Sequence, residues 1–275
     1  MTTQDFASSP PPSAPPRLPP RRRLASLRAI VALILREMAT SYGRSPGGYL
    51  WAILEPVAGI ALLSLVFSAL MRSPALGVNF QMFYATGMLP FIMFTSIQAK
   101  VSTALGYSKP LLAYPTVTYL DSLIARFLLD MMTKLLVSYI LLVGIALFYE
   151  TRITPDLPVI IEAYALTALL GLGIGTLNCY IGTRFPVYRQ AWGIMMRPMF
   201  IISGIFFLYE AIPAPYDDYL WYNPLMHVIG LMRSGFYPTY DAIYVSVPFV
   251  LLCSLVPLAL GLVLLRRYHT DLLAM

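Results

Sequence analysis

Apolar residues in this chain gather into uninterrupted runs of about twenty, not into a stripe that returns every third or fourth residue. A run of that length crosses the roughly 30 Å hydrocarbon core of a bilayer as a helix. Six such runs lie at about 51–71, 80–100, 123–148, 159–182, 192–208 and 244–265. Of the residues, 58% are hydrophobic and 12% charged, whereas soluble domains carry about a quarter charged residues, so no soluble fold hides this surface. The expected fold is an all-α membrane protein with six transmembrane helices, an amphipathic amino-terminal interfacial helix and short external re-entrant or interfacial helices before the last span.

Three regions follow. Residues 1–25 hold seven prolines among Ser and Ala, the composition of an extended, disordered cytoplasmic tail. Residues 26–45 place Leu27, Ile30, Val31, Ile34, Leu35 and Met38 on one helical face, with Arg28, Glu37, Ser41 and Arg44 away from it, as in a helix lying in the membrane interface. Residues 46–268 form the six-span domain. With the amino terminus inside, the cytoplasmic segments collect Arg17, Arg21, Arg22, Arg23, Arg28, Arg36, Arg44, Lys100, Lys109, Arg184, Arg189, Arg197, Arg266 and Arg267. The external ones keep Arg72, Arg152 and Arg233. Both termini are therefore expected in the cytoplasm. The formal charge of +6 reflects this orientation signal, and nucleic acid is not an expected partner.

Few residues offer chemistry of their own. Cys179 and Cys253 stand alone in apolar runs, and His227 and His269 have no acids at metal-ligand spacing, so no metal and no catalytic residues are expected. No phosphate loop of the G-x-x-x-x-G-K-[ST] type and no G-x-S-x-G nucleophile is present, so any ATP must be hydrolysed by another chain.

Charged residues inside the spans carry more information. Glu55 sits near the entrance of the first span, where a carboxylate needs a partner or water, and pairing with the interfacial helix is the expected solution. Arg126, Asp130 and Lys134 recur every four residues and form an intramembrane charge ladder, the acid within ion-pairing reach of both bases. Such a ladder locks a helix into its bundle or lines a polar conduit. Gly171 and Gly175 form a G-x-x-x-G that fits close packing within the chain better than dimerisation. The loop 106–121, with Lys109, Pro110, Tyr114 and Pro115, reads as a docking element for a cytoplasmic partner or as a plain connector. In 209–244, Tyr209, Tyr219, Trp221 and Tyr222 are an aromatic belt, or a belt that also contacts a sugar chain through ring faces and hydroxyls. The short apolar piece 225–236 between Asn223-Pro224 and Pro238 suggests a re-entrant helix.

Arg36-Glu37, the run Gly48-Tyr49-Leu50-Trp51-Ala52-Ile53-Leu54-Glu55-Pro56, six spans, and Asn223-Pro224-Leu225-Met226-His227 before Arg233 together resemble one known group. The chain is similar, over about 27–268, to the ABC type-2 permease subunits of capsular polysaccharide exporters. That resemblance implies a homodimer in the bacterial inner membrane, paired with two ATP-binding cassette ATPase subunits that bind ATP and Mg; this chain itself takes no cofactor. It also implies a lipid-linked polysaccharide substrate, contact with membrane lipid, and handover to periplasmic and outer-membrane export proteins. It assigns ATPase coupling to 27–44 and 106–121, hence to Arg36, Glu37, Lys109 and Tyr114. Along the substrate path the expected contacts are Tyr209, Tyr219, Trp221 and Tyr222, with Arg233 for an anion. The family pattern carries a Glu where this chain has Gly230. Other readings are a permease for O-antigen, teichoic acid or a small hydrophobic compound, and, in a different class, a proton-coupled carrier or channel resting on the charge ladder.

Overall fold

The computed structural model describes residues 25–41, 48–112, 117–149, 151 and 153–274, and the expected tail at 1–24 lies outside them. Among the described residues the chain forms ten α-helices and no strand. They are α1 (Ala25–Ser41), α2 (Gly48–Leu70), α3 (Phe80–Ser102), α4 (Ala104–Leu112) and α5 (Tyr119–Phe148), then α6 (Leu157–Arg184), α7 (Pro186–Ile202), α8 (Tyr216–Trp221), α9 (Pro224–Phe236) and α10 (Val247–Ala274). Five of them, α2, α3, α5, α6 and α10, are long and apolar enough to cross a membrane. They stand where five of the six spans were expected.

The fifth span differs in position. The expected segment 192–208 is replaced by α7, which starts at Pro186 and stops at Ile202 after 17 residues, about 25 Å of helix. Pro186 suits the first helical turn, where its missing N–H is not needed. At the other end Gly204 takes φ +83°, a left-handed conformation that L side chains avoid, and the chain turns back. The Asn223 side chain donates to the freed Ile202 carbonyl (3.0 Å). The same Asn223 accepts from Leu225 N–H (3.1 Å) and, with Pro224 behind it, starts α9. Nearly all of α9 is buried, as a helix too short to span must be if it enters the bundle.

The core is organised around α3, two thirds of whose apolar window is buried (67%), against 17% for α2, α5 and α10, which turn most of their surface outward. Helix α6 lies on α3 through the expected glycines: a Cβ at Gly171 would meet the Ile97 side chain, and one at Gly175 the Val101 side chain and the Gln98 backbone. Gly173 faces the other way, against the Ser254 carbonyl of α10, and Gly261 of α10 meets the Thr176–Leu177 backbone. Small residues thus let three helices approach at backbone distance, where packing rather than hydrophobicity holds membrane helices together. A polar cluster adds to this contact. Gln98 Oε1 accepts from Asn178 Nδ2 (3.2 Å) and Trp192 Nε1 (3.0 Å), and the Tyr188 hydroxyl donates to Asn178 Oδ1 (2.7 Å), tying α7 to α3 and α6.

Helix α1 is arranged as an interfacial helix. Leu27, Val31, Leu35 and Met38 remain exposed, while Leu33 and Glu37 turn toward the protein. Much of its apolar face therefore lies outside the core, which suits a helix at a membrane surface.

Because Gly173 meets backbone that cannot swing aside, Gly173→Ala is expected to cost about 2 kcal/mol and lower the melting temperature in detergent by about 5 °C. Gly193→Ala, which meets nothing nearby, is the matched control and should leave it unchanged.

Candidate functional site

The amino-terminal helix, α4 and the start of α5 meet around one ring. Arg126 Nε donates to Glu37 Oε1 at 2.9 Å, and both side chains are almost fully buried. Arg126 Nη1 donates to Thr103 Oγ1 (3.0 Å). The guanidinium carbon lies 4.4 Å from the Tyr107 ring centre, with that of Arg36 at 5.7 Å from the same centre, so two cations share one aromatic face system. The Tyr107 hydroxyl is hydrogen-bonded to Thr40. Further along, Ser26 donates to Asp121, whose other oxygen caps α5 by accepting from Thr118 N (2.9 Å) while Asp121 N donates back to Thr118 Oγ1 (3.2 Å). Ser122 Oγ lies 2.6 Å from Ser108 Oγ and donates to Ala104 O (3.2 Å), fastening α4 to α5.

The segments 27–44 and 106–121, far apart in sequence, therefore meet at one junction over their described residues. Of the residues expected to couple to an ATPase, Arg36 and Glu37 are at its centre and Lys109 is exposed on α4. Tyr114 lies outside the described residues. Tyr107 and Thr103 were not singled out from sequence, and no local pattern marks them, because their partners are supplied by α1 and α5.

Two expectations are corrected here. The charge ladder is split: Arg126 pairs with Glu37 and not with Asp130, whose Oδ1 accepts from Ser96 Oγ (3.0 Å). Positions four apart on a helix are displaced by about 40° around its axis, so Arg126 and Lys134 look about 80° apart and toward different neighbours. Among the described residues Glu55 makes no ion pair with the interfacial helix either. It borders a cleft of about 650 Å³ with Lys100, Asp130 and Lys134, and Glu37 is the carboxylate that joins α1 to the bundle.

At the opposite end the aromatic segment is packed in layers. The Tyr209 ring stacks on Tyr244 (centroids 4.1 Å) and its hydroxyl donates to Asp217 O (3.2 Å). Trp221 Nε1 donates to Tyr244 O (3.2 Å), with its ring against Phe249 (4.9 Å) and His227 (5.1 Å). Tyr219 and Tyr222 project outward, 75% and 70% exposed. Arg233 is buried: it donates to Phe207 O and Ile205 O (both 2.9 Å) and lies over the Phe83 ring (4.2 Å). Its guanidinium clasps the turn that follows α7. Among the expected path residues, only Tyr219 and Tyr222 face outward freely. Gly230 has a local reason, since a Cβ there would strike the Tyr244 hydroxyl, which occupies the space a longer side chain would need.

His227 is fixed as one tautomer by its neighbours. Ser246 N–H donates to Nδ1 (3.1 Å), so Nε2 carries the proton and donates to Trp221 O (2.7 Å). Burial pushes its pKa below the usual imidazole value, and the ring is neutral at pH 7. Among the described residues no group of three His, Cys, Asp or Glu side chains is placed to hold a metal ion.

Two outcomes follow from these contacts. Arg126→Gln leaves Glu37 buried without a cation and is expected to cost about 3–5 kcal/mol, with the Glu37→Gln/Arg126→Gln pair recovering part of it, as read by thermal unfolding in nanodiscs. Because the folded state holds His227 neutral, the unfolded chain binds the extra proton first. Stability is then complete above about pH 6.5 and falls below it, and His227→Gln should flatten that dependence.

A family model described as "ABC-2 type transporter" matches residues 28–237. The chain is 33% identical to a polysialic acid transport protein, KpsM of Escherichia coli, over 89% of this chain and 95% of that one. It is 25% identical to the capsule polysaccharide export inner-membrane protein CtrC of Neisseria meningitidis serogroup A, over 89% and 92% of the two chains. With BexB of Haemophilus influenzae, also a capsule polysaccharide export inner-membrane protein, identity is 26% over 88% and 91%. Matched over three quarters of its length and by relatives aligned almost end to end, the chain belongs to the ABC-2 type transporter family.

Proposed function

We propose that this chain is the membrane-spanning subunit of an ATP-driven exporter that carries lipid-linked capsular polysaccharide across the bacterial inner membrane. It works as a homodimer with two ATPase subunits, which bind ATP and Mg, and passes the chain to periplasmic and outer-membrane export proteins. Both termini lie in the cytoplasm. The substrate class rests on relatives whose names specify polysialic acid transport or capsule polysaccharide export.

The observation that carries the mechanism is the buried Glu37–Arg126 pair with Tyr107 beside it. A partner that pushes on α4 reaches α1 through Tyr107 and α5 through Ser108, and α1 and α5 stay together because separating them would strand a charge away from water. Long helices then carry the displacement along their rigid axes, and α5 spans about 45 Å from Tyr119 to Phe148. The permease supplies the path and the ATPase supplies the free energy. At the outer end Tyr219 and Tyr222 offer ring faces and hydroxyls to a sugar chain, the amphipathic surface a sliding polysaccharide needs.

Lys109 is the exposed cation of α4 and a direct contact for an acidic patch on the ATPase. Lys109→Glu is expected to reduce co-purification of the ATPase about tenfold, with the permease still monodisperse, because a like charge is set against the partner. Unchanged retention of the ATPase would remove Lys109 from the interface. Transport driven by a proton gradient in vesicles without ATP would replace the exporter reading by a proton-coupled carrier.

A further inference from the structure

The contacts of Arg126 leave the rest of the intramembrane charge unexplained. Lys100, Asp130, Lys134 and Glu55 border the cleft between α2, α3 and α5, with Trp51 at its rim and Ser96 on its wall. Two ammonium groups thus share about 650 Å³ with two carboxylates. Yet among the described residues the single ion pair is Glu37–Arg126, so these four charges do not close on one another. Asp130 is 4% exposed, and while Oδ1 takes the Ser96 hydroxyl, Oδ2 has no hydrogen-bond partner. A buried carboxylate oxygen left unpaired is costly in a membrane helix, and so are separated charges of both signs.

A second, uncharged cleft lies further along the same two helices. It is about 440 Å³ in volume, walled by Val57, Ile60, Ala61 and Leu65 of α2 and by Leu141 and Ile145 of α5, with Ser64, Ser68, Gln81 and Tyr149 among them. From Glu55 to Ser68 the two clefts together cover about 20 Å of α2 at 1.5 Å per residue, the reach of an acyl chain. A charged cleft and an uncharged, mostly aliphatic trough in line along the same two helices suit the headgroup and the acyl chain of one phospholipid.

We infer that the α2–α5 groove is a binding site for a phospholipid with a phosphoethanolamine headgroup. The headgroup phosphate lies between Lys100 and Lys134, and its primary ammonium is held by the carboxylates of Asp130 and Glu55. The balance of two cations and two anions selects a zwitterion, because an anionic headgroup brings no cation for the two carboxylates. A primary ammonium is required, since a trimethylated one has no N–H to give Asp130. The acyl chain lies in the trough and fills the gap between α2 and α5, a pair that would otherwise touch at few points.

The test is native mass spectrometry of the full chain, delipidated in detergent and titrated separately with phosphatidylethanolamine, phosphatidylglycerol and phosphatidylcholine. The expected result is one retained phosphatidylethanolamine per chain, held about fivefold or more above either other lipid. Lys134→Gln and Lys100→Gln should each lower that retention about fivefold. Glu55→Gln, at the exposed rim and without bearing on folding, should lower it too and narrow the preference over phosphatidylglycerol. Ala61→Trp should block the trough and lower retention of all three lipids. Equal or tighter binding of phosphatidylglycerol or phosphatidylcholine would overturn the assignment, as would phosphatidylethanolamine retention that Glu55→Gln and Ala61→Trp leave unchanged.

Discussion

The ion pair between Glu37 and Arg126 is the interaction on which the architecture turns. Its two charges come from an interfacial helix and a spanning helix, they are withdrawn from water, and among the described residues neither has a substitute partner of opposite charge within ion-pair distance. Tyr107 completes the junction by offering its ring to both arginines and its hydroxyl to Thr40. Buried pairs of this kind contribute little net stability, because desolvation offsets most of the attraction, but breaking one is costly. Such a contact fixes geometry, and fixed geometry is what a permease needs if work done on its surface is to reach its interior.

Behind that junction the bundle is held by closeness. Gly171, Gly173, Gly175 and Gly261 bring α3, α6 and α10 to backbone contact, and no side chain larger than hydrogen fits at these crossings without displacing a neighbour. The segment after α7 shows the complementary constraint. A chain that turns inside the bundle exposes carbonyls with no helical partner, and backbone polar groups away from water must be paired. Arg233 answers for Ile205 and Phe207, and Asn223 for Ile202, so two side chains of the α9 region close a turn made by another segment.

Much of this was legible in the sequence, for reasons that are local. Runs of apolar residues announce spans whatever their neighbours do, and Asn223-Pro224 announces the start of α9 because the cap and the first turn are formed by adjacent residues. The G-x-x-x-G at Gly171 also pointed correctly to packing within the chain. What failed depended on partners distant in sequence. The four-residue spacing of Arg126, Asp130 and Lys134 suggested mutual pairing, but it could not reveal that Glu37, 89 positions away, would take Arg126. The end of the fifth span was misplaced because 203–208 is as apolar as a helix, and only the positive φ at Gly204 and the clasp by Arg233 reveal a turn. Arg233 itself was expected at an anion, and its fully buried guanidinium serves backbone carbonyls instead.

The most direct test of the central claim is a pulsed electron-electron distance between spin labels at Ala32 on α1 and Gly106 on α4, both exposed, in the full complex with and without a non-hydrolysable ATP analogue. The account predicts one narrow distance that nucleotide does not change, because α1 and α4 move as a single body around Tyr107. A distance that shifts or broadens when nucleotide binds would show two elements moving independently, and would contradict the role given to the Glu37–Arg126 junction.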